Sequence, residues 1–216
     1  MNTGIRFDTA YEKMPWDKID VVVFDIGNVL IRFAPDDFLM RLFPGDEKKQ
    51  SDMLAQVYKG DYWLSFDRGT MSYEEAADRL HERFGYPRED YLHALRGWIE
   101  LKTPIEEGWR AARRCKEEGK RLLLLSNYPQ EGYERLRVKF ADLFDPMFEG
   151  GVISWQWHQM KPEEQVYRTL MKEYGIEDAS RALFLDDTLG NVEGAMKVGI
   201  HGFHVHEKGM MDRFFS

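Results

Sequence analysis

Three short stretches of this chain are apolar at every position rather than at alternate ones: Val21-Val22-Val23-Phe24, Leu122-Leu123-Leu124-Leu125 and Ala182-Leu183-Phe184-Leu185. Each runs directly into polar residues, Asp25 after the first, Ser126-Asn127 after the second and Asp186-Asp187 after the third. Continuous apolar runs of this length, bounded by turn residues, read as strands buried on both faces, as in a parallel sheet. The second half of the chain adds a helix–glycine–strand rhythm. Thr103-Pro104-Ile105-Glu106 looks like a capping box with proline at the first helical position, opening a helix toward Glu118 that Gly119 stops. Pro162 to Tyr174 is stopped by Gly175, and Asn191 to Val198 by Gly199. Helices closed by glycine and followed at once by an apolar strand are βαβ units, so the pattern predicts an α/β fold.

Between about Ala34 and Lys102 the buried runs vanish and a helical period takes over. Ser72-Tyr73-Glu74-Glu75 is a second capping box, followed along one face by Tyr73, Ala76, Ala77, Leu80 and Phe84. Leu39, Met40, Leu42 and Phe43, then Met53, Leu54, Val57 and Tyr58, suggest further amphipathic helices. The segment reads as a helical insertion after the first strand, lying as a lid over the carboxyl edge of the sheet, with its aromatic stripe forming mainly the core of that lid.

Composition narrows the possible functions. With 216 residues, 43% hydrophobic and 14% aromatic, the chain can bury a sizeable core. No apolar stretch approaches the roughly 20 residues a membrane span requires, and residues 1–19 lack the apolar segment of a secretory signal. Cys115 is the only cysteine, which excludes an intrachain disulfide. These features make the cytoplasm the expected compartment. The net charge of −8 argues against nucleic acid as a partner, because phosphate backbones demand clustered cations. The basic residues Arg110, Arg113, Arg114 and Lys116 spread around a helix as a solvated surface would.

The candidate chemistry lies at the strand ends. A carboxylate at the carboxyl end of a buried strand sits where open α/β sheets carry their sites, and it is costly there unless something pairs with it. Lys161, just before Pro162, and the Asp186-Asp187 pair complete a metal-and-phosphate set. Taken singly, Asp186-Asp187 is as well explained as a helix cap, Ser126-Asn127 as a turn and Lys161 as a solvated lysine. All four motifs in this order resemble the haloacid dehalogenase-like superfamily of hydrolases, which are mostly phosphatases.

That resemblance implies a Rossmann-like three-layer core with strand order 5-4-1-2-3 and an inserted helical cap, dividing the chain into a core of residues 1–33 and 103–216 and a cap of 34–102. It implies Asp25 as nucleophile, with Ser126, Asn127 and Lys161 binding phosphate. Mg²⁺ would be held by Asp25, the Gly27 carbonyl and Asp187, with Asp186 a direct or water-mediated ligand, since hard oxygen donors select magnesium over zinc. One Mg²⁺ and Lys161 against three carboxylates make a nearly neutral site. The expected activity is hydrolysis of a small phosphorylated metabolite, such as a sugar phosphate or sugar 1-phosphate, by a monomer or weak homodimer. Two alternatives share the motifs: a metal-independent 2-haloacid dehalogenase and a non-catalytic ligand-binding or regulatory protein.

Two departures from the family stand out. Most of its phosphatases carry a second Asp two residues after the nucleophile as general acid and base, and here that position is Gly27. The Asp-x-Gly-Asn-Val form is similar to bacterial α-D-glucose-1-phosphate phosphatases, as is Phe66-Asp67-Arg68-Gly69-Thr70-Met71-Ser72 entering a lid helix. Losing acid–base help costs about 10²- to 10⁴-fold, least for a good leaving group such as a sugar hemiacetal. The other departure is His158, where relatives carry a small residue. It is a candidate for the missing proton donor, against its being a surface or packing residue. Trp63, Arg68 and Trp98 are candidate lid contacts to substrate. His204 and His206 share a strand face without a third ligand and read as structural.

Overall fold

β1 (Val21–Phe24), β2 (Arg121–Ser126), β3 (Gly150–Ile153), β4 (Ala182–Asp186) and β5 (His201–His204) form one sheet in the order β3-β2-β1-β4-β5. This is the 5-4-1-2-3 order that the family resemblance implies, and every neighbouring pair is parallel. The computed structural model describes residues 14–215, so the first 13 residues of the expected core lie outside the described residues.

The apolar runs are continuous because the sheet is covered on both faces. Val22 and Phe24 belong to the cluster that includes Trp109, Ala112 and Cys115 of the Glu106–Glu117 helix. Val21 and Val23 pack instead with Val166, Tyr167 and Leu170 of the Glu164–Glu173 helix and Ala195 of the Leu189–Lys197 helix. Alternate side chains thus enter different cores, and both must be apolar. β3 carries no such run. A Cβ at Gly151 would lie 2.5 Å from the Leu124 carbonyl oxygen, so the close approach to β2 requires glycine and hides this strand from a hydrophobicity pattern.

Three helix starts differ from expectation, the one expected at Asn191 only in beginning at Leu189. The helix after Thr103 begins at Glu106 with no side-chain cap, because the preceding backbone is used elsewhere. Thr103 O accepts from Arg32 N at 2.9 Å, and Ile105 N donates to Leu30 O at 2.8 Å. The helix after Lys161 begins at Glu164, with Pro162 in the loop before it.

Residues 35–101 contain helices and no strand: Pro35–Leu42, Glu47–Met53, a π-helical turn at Leu54–Tyr58, Asp61–Asp67, Tyr73–Phe84, Arg88–Gly97 and a short 3-10 turn at Trp98–Leu101. The Ser72 cap forms, its hydroxyl accepting from Glu75 N at 3.2 Å. Tyr73, Ala76, Ala77 and Leu80 are buried as their spacing requires, whereas Phe84 and Met40 are exposed. The Asp61–Asp67 helix meets the carboxyl edge of the sheet at Ser154, just past β3, whose hydroxyl donates to the Asp67 carbonyl. No helix among the described residues is long and apolar enough to cross a membrane.

Candidate active site

Parallel register sets the site. β1 and β4 align Phe24 with Leu185, so the next residues, Asp25 and Asp186, emerge side by side at the carboxyl edge. β2 delivers Ser126 on the other side of Asp25. Asp25 is 6% exposed, and its Oδ1 accepts from Ser126 Oγ at 2.7 Å and lies 2.8 Å from Lys161 Nζ. The same ammonium donates to Asp186 Oδ2 at 2.6 Å and to Leu125 O at 3.1 Å, which uses its three protons. Lys161 is held in register by a reciprocal pair of bonds: its N–H donates to Asn127 Oδ1 at 2.9 Å, and Asn127 Nδ2 donates to its carbonyl at 3.0 Å.

The two carboxylates after β4 differ in what they have left to bind. Fully buried Asp186 accepts from Lys161, from Thr188 N at 2.8 Å and from Asn191 Nδ2 at 3.0 Å. Asp187 is partly exposed, and its Oδ2 accepts from Asn28 Nδ2 at 3.0 Å. One oxygen each of Asp25, Asp186 and Asp187 lie within 4.8 Å of one another. Burial, then the Asp186 charge, pushes the Asp25 carboxyl above its ordinary range, with Lys161 opposing. Asp187 is raised by burial and by Asp25. Burial alone would pull Lys161 down, but Asp186 and Asp25 outweigh it and hold the ammonium above its ordinary value. The carboxylates are therefore short of positive charge, and three hard oxygen donors with one lysine fit a small divalent cation.

Above these groups lies a cavity of about 180 Å³. Asp25, Gly27, Ser126, Asn127 and Lys161 line its sheet side, and Phe33, Trp63, Asp67, Trp98, Lys102 and Tyr128 its outer wall. Gly27 is not glycine for want of space, because a Cβ there would stand 3.9 Å from Asp25 Oδ2, an ordinary contact. A larger groove of about 570 Å³ between the Tyr73–Phe84 and Gln130–Lys139 helices is lined by Glu74, Glu75, Glu131 and Glu134, and its acidity suits no phosphate.

Trp63 and Trp98 thus reach the cavity, but Arg68 and His158 do not. Arg68 pairs with Glu163 and donates to the His158 carbonyl at 2.9 Å, while His158 Nδ1 bonds the Arg68 carbonyl at 2.8 Å. His158 is exposed, at φ 55°, and the candidate substrate contact Arg68 and the candidate proton donor His158 bind each other instead. Two charged cavity residues, Asp67 and Lys102, are not among the sequence-based candidates. Asp67 ends the Asp61–Asp67 helix, and its one sequence signal is its place in the Phe66–Ser72 motif that resembles the family's. Lys102 closes the insertion at 3% exposure, its Nζ 4.3 Å from the Phe33 ring centre and 4.6 Å from that of Trp98. Burial lowers its ammonium to about 7, with Asp25 opposing.

The model of the haloacid dehalogenase-like hydrolase family matches residues 19–199. The chain is similar to the sesquiterpene phosphatase astK of Aspergillus oryzae, 24% identical over 185 residues that cover 85% of this chain and 88% of that protein. It is also 24% identical over 202 residues to the drimenol cyclase drtB of Aspergillus calidoustus, covering 90% of this chain but only 35% of that longer protein. A HAD-family enzyme of Bacteroides thetaiotaomicron, solved with magnesium and inorganic phosphate, superposes with a TM-score of 0.66 at 19% identity, over 86% of this chain and 93% of that one. The L-2-haloacid dehalogenase of Xanthobacter autotrophicus, with chloropropionic acid covalently bound, gives 0.65 at 20% identity, over 90% and 81%. At such identities the two structures speak for the fold.

Proposed function

The chain belongs to the haloacid dehalogenase-like hydrolase family, and on that premise we propose that it is a Mg²⁺-dependent phosphatase working through a phospho-aspartate on Asp25. The observation that carries this reading is the position of Lys161 Nζ, within 2.8 Å of Asp25 and 2.6 Å of Asp186, with the Asp187 carboxylate alongside. Ser126 and Lys161 hold Asp25 Oδ1, so the carboxylate presents a fixed edge to the phosphorus. Lys161 offsets charge gathered on the nucleophile and phosphate, and the Asn127 N–H offers a donor to a phosphate oxygen, whereas Ser126, expected to bind phosphate, has its one proton on Asp25.

Mg²⁺ bound by Asp25, Asp187 and the Gly27 carbonyl would supply the charge neutralisation that lets one anion approach another. Asp186, with its oxygens already engaged by Lys161, Thr188 and Asn191, fits a water-mediated ligand better than a direct one. The dehalogenase alternative needs no metal, and without one Asp186 and Asp187 would repel the nucleophile.

The aromatic walls formed by Phe33, Trp63 and Trp98, with residues 34–102 acting as a cap, suit a small metabolite with an apolar or ring-shaped face. Sugar phosphates, including 1-phosphates, are one such class, and the name of the relative astK adds prenyl-type phosphates to the panel. The reading has the enzyme act as a monomer or weak homodimer. Phosphate release from such a panel, with Mg²⁺ and with EDTA, tests the proposal alongside chloride release from 2-chloropropionate. Metal-dependent phosphate release is expected. Chloride release without metal would install the dehalogenase, and inactivity toward both would leave a binding protein.

A further inference from the structure

We propose that Asp67 is the general acid and base of this site, serving from the helical insertion in place of the side chain missing at Gly27; the assignment rests on the phosphatase reading. Asp67 is the last residue of the Asp61–Asp67 helix and is 6% exposed in the same cavity as Asp25, Lys161 and Gly27. Its Oδ1 is fully buried and has no hydrogen-bond partner among the described residues. A carboxyl so placed costs stability, and a structural carboxyl would be paired; this one is left unpaired in the wall of the cavity that holds Asp25.

Its backbone, by contrast, is pinned. The Asp67 carbonyl accepts from Ser154 Oγ, a hydroxyl that itself accepts from Tyr128 N at 2.9 Å. The next residue, Arg68, is anchored outward on Glu163 and the His158 carbonyl. Burial raises the Asp67 carboxyl to about 8, with Lys161 opposing and Asp25 reinforcing, so it carries a proton at neutral pH. The groups facing it are Asp25 from the end of β1, Lys161 from the loop after β3, Lys102 across the cavity, and the phenols of Tyr73 and Tyr128, both raised by burial and by Asp67 among their neighbours. His158, the donor suggested by sequence, lies outside the cavity.

The chemistry balances in two steps. Asp25 forms a bond to phosphorus as the bond from phosphorus to the leaving oxygen breaks. The Asp67 acid gives that oxygen its proton, releasing the alcohol and leaving a carboxylate. The Asp67 carboxylate then takes a proton from the water that attacks the phospho-aspartate. The phosphorus–Asp25 bond breaks, hydrogen phosphate departs, and Asp25 is again a carboxylate and Asp67 an acid.

The test compares p-nitrophenyl phosphate, whose leaving group needs no proton, with benzyl phosphate, whose alkoxide does. In Asp67→Asn, kcat/KM should fall about 10²- to 10⁴-fold for benzyl phosphate and less than about tenfold for p-nitrophenyl phosphate. Asp67→Glu should recover part of the benzyl activity. Thermal unfolding of Asp67→Asn checks that the nearly isosteric variant folds. Equal losses for both esters, parent rates for both, or a benzyl-selective loss in His158→Ala instead would each overturn the assignment while the phosphatase reading stands. A folded parent that releases phosphate from neither ester nor the metabolite panel would overturn both.

Discussion

Asn28 Nδ2 donates to Asp187 Oδ2 at 3.0 Å, tying the loop after β1 to the carboxylate after β4. Asn28 adopts φ 52°, a left-handed conformation that asparagine tolerates better than most residues, and its Oδ1 accepts from Phe33 N at 2.9 Å. One amide therefore aims a candidate metal ligand and fixes the entry into the helical insertion. Asn28→Ala should weaken Mg²⁺ binding about 10- to 100-fold, as loss of an orienting partner does. A metal titration giving equal affinity for variant and parent would show that Asp187 needs no such support.

Asp25→Asn should lower turnover of phosphate esters by about 10³-fold or more, since the nucleophile itself is removed. The fold should persist, because the amide keeps the volume and can still accept from Ser126 Oγ. Phosphate release at saturating substrate measures the first, and circular dichroism the second. Parent-like turnover would displace Asp25 from its role.

Asp67 makes stability depend on pH in a defined window. Its carboxyl is raised from 3.8 to about 8 by burial, so between those values the native state keeps a proton that the unfolded chain has released. The native state then binds more protons, and stability falls as pH rises through the window, by up to about 1.4 kcal/mol per unit. Lys102, lowered to about 7, gives the opposite slope above that pH, so the informative quantity is variant minus parent. Urea unfolding in EDTA should show Asp67→Asn gaining on the parent from pH 5 to pH 8. A constant difference would mean that Asp67 is charged in the native state.

Lys102 should answer phosphate. Near its pKa of about 7 it is largely neutral at pH 8, and a bound dianion favours the charged form, so binding should take up protons. Calorimetry of inorganic phosphate in two buffers of different ionisation enthalpy measures that uptake. Lys102→Met should reduce it, leaving the share that Asp67 takes up, and weaken phosphate binding about tenfold or more, as loss of a charge-assisted contact does. Unchanged uptake in the variant would assign the proton elsewhere.

Local chemistry alone marked the three central strands and the groups at their carboxyl ends, and the strand order came with the family resemblance. An apolar run ending in Asp25, Ser126 or Asp186 states both that the strand is buried and where it stops, because side-chain alternation and turn propensity act over a few residues. The same locality explains what was hidden. β3 was invisible because Gly151 serves a close approach to β2, and the Thr103 capping box failed because its backbone pairs with residues 30–32. Arg68 as a substrate contact and His158 as a proton donor both fit the sequence, but the tertiary structure brings them to each other. Asp67 and Lys102 belong to elements whose pattern says only that they are helical ends. Packing of the insertion onto the sheet decides that Asp67 lines the cavity of Asp25 with its buried Oδ1 unpartnered among the described residues, and that Lys102 is buried against Phe33 and Trp98. Burial and the loss of alternative partners give both residues their unusual proton affinities, and those are properties of an assembled cavity that no stretch of chain possesses alone.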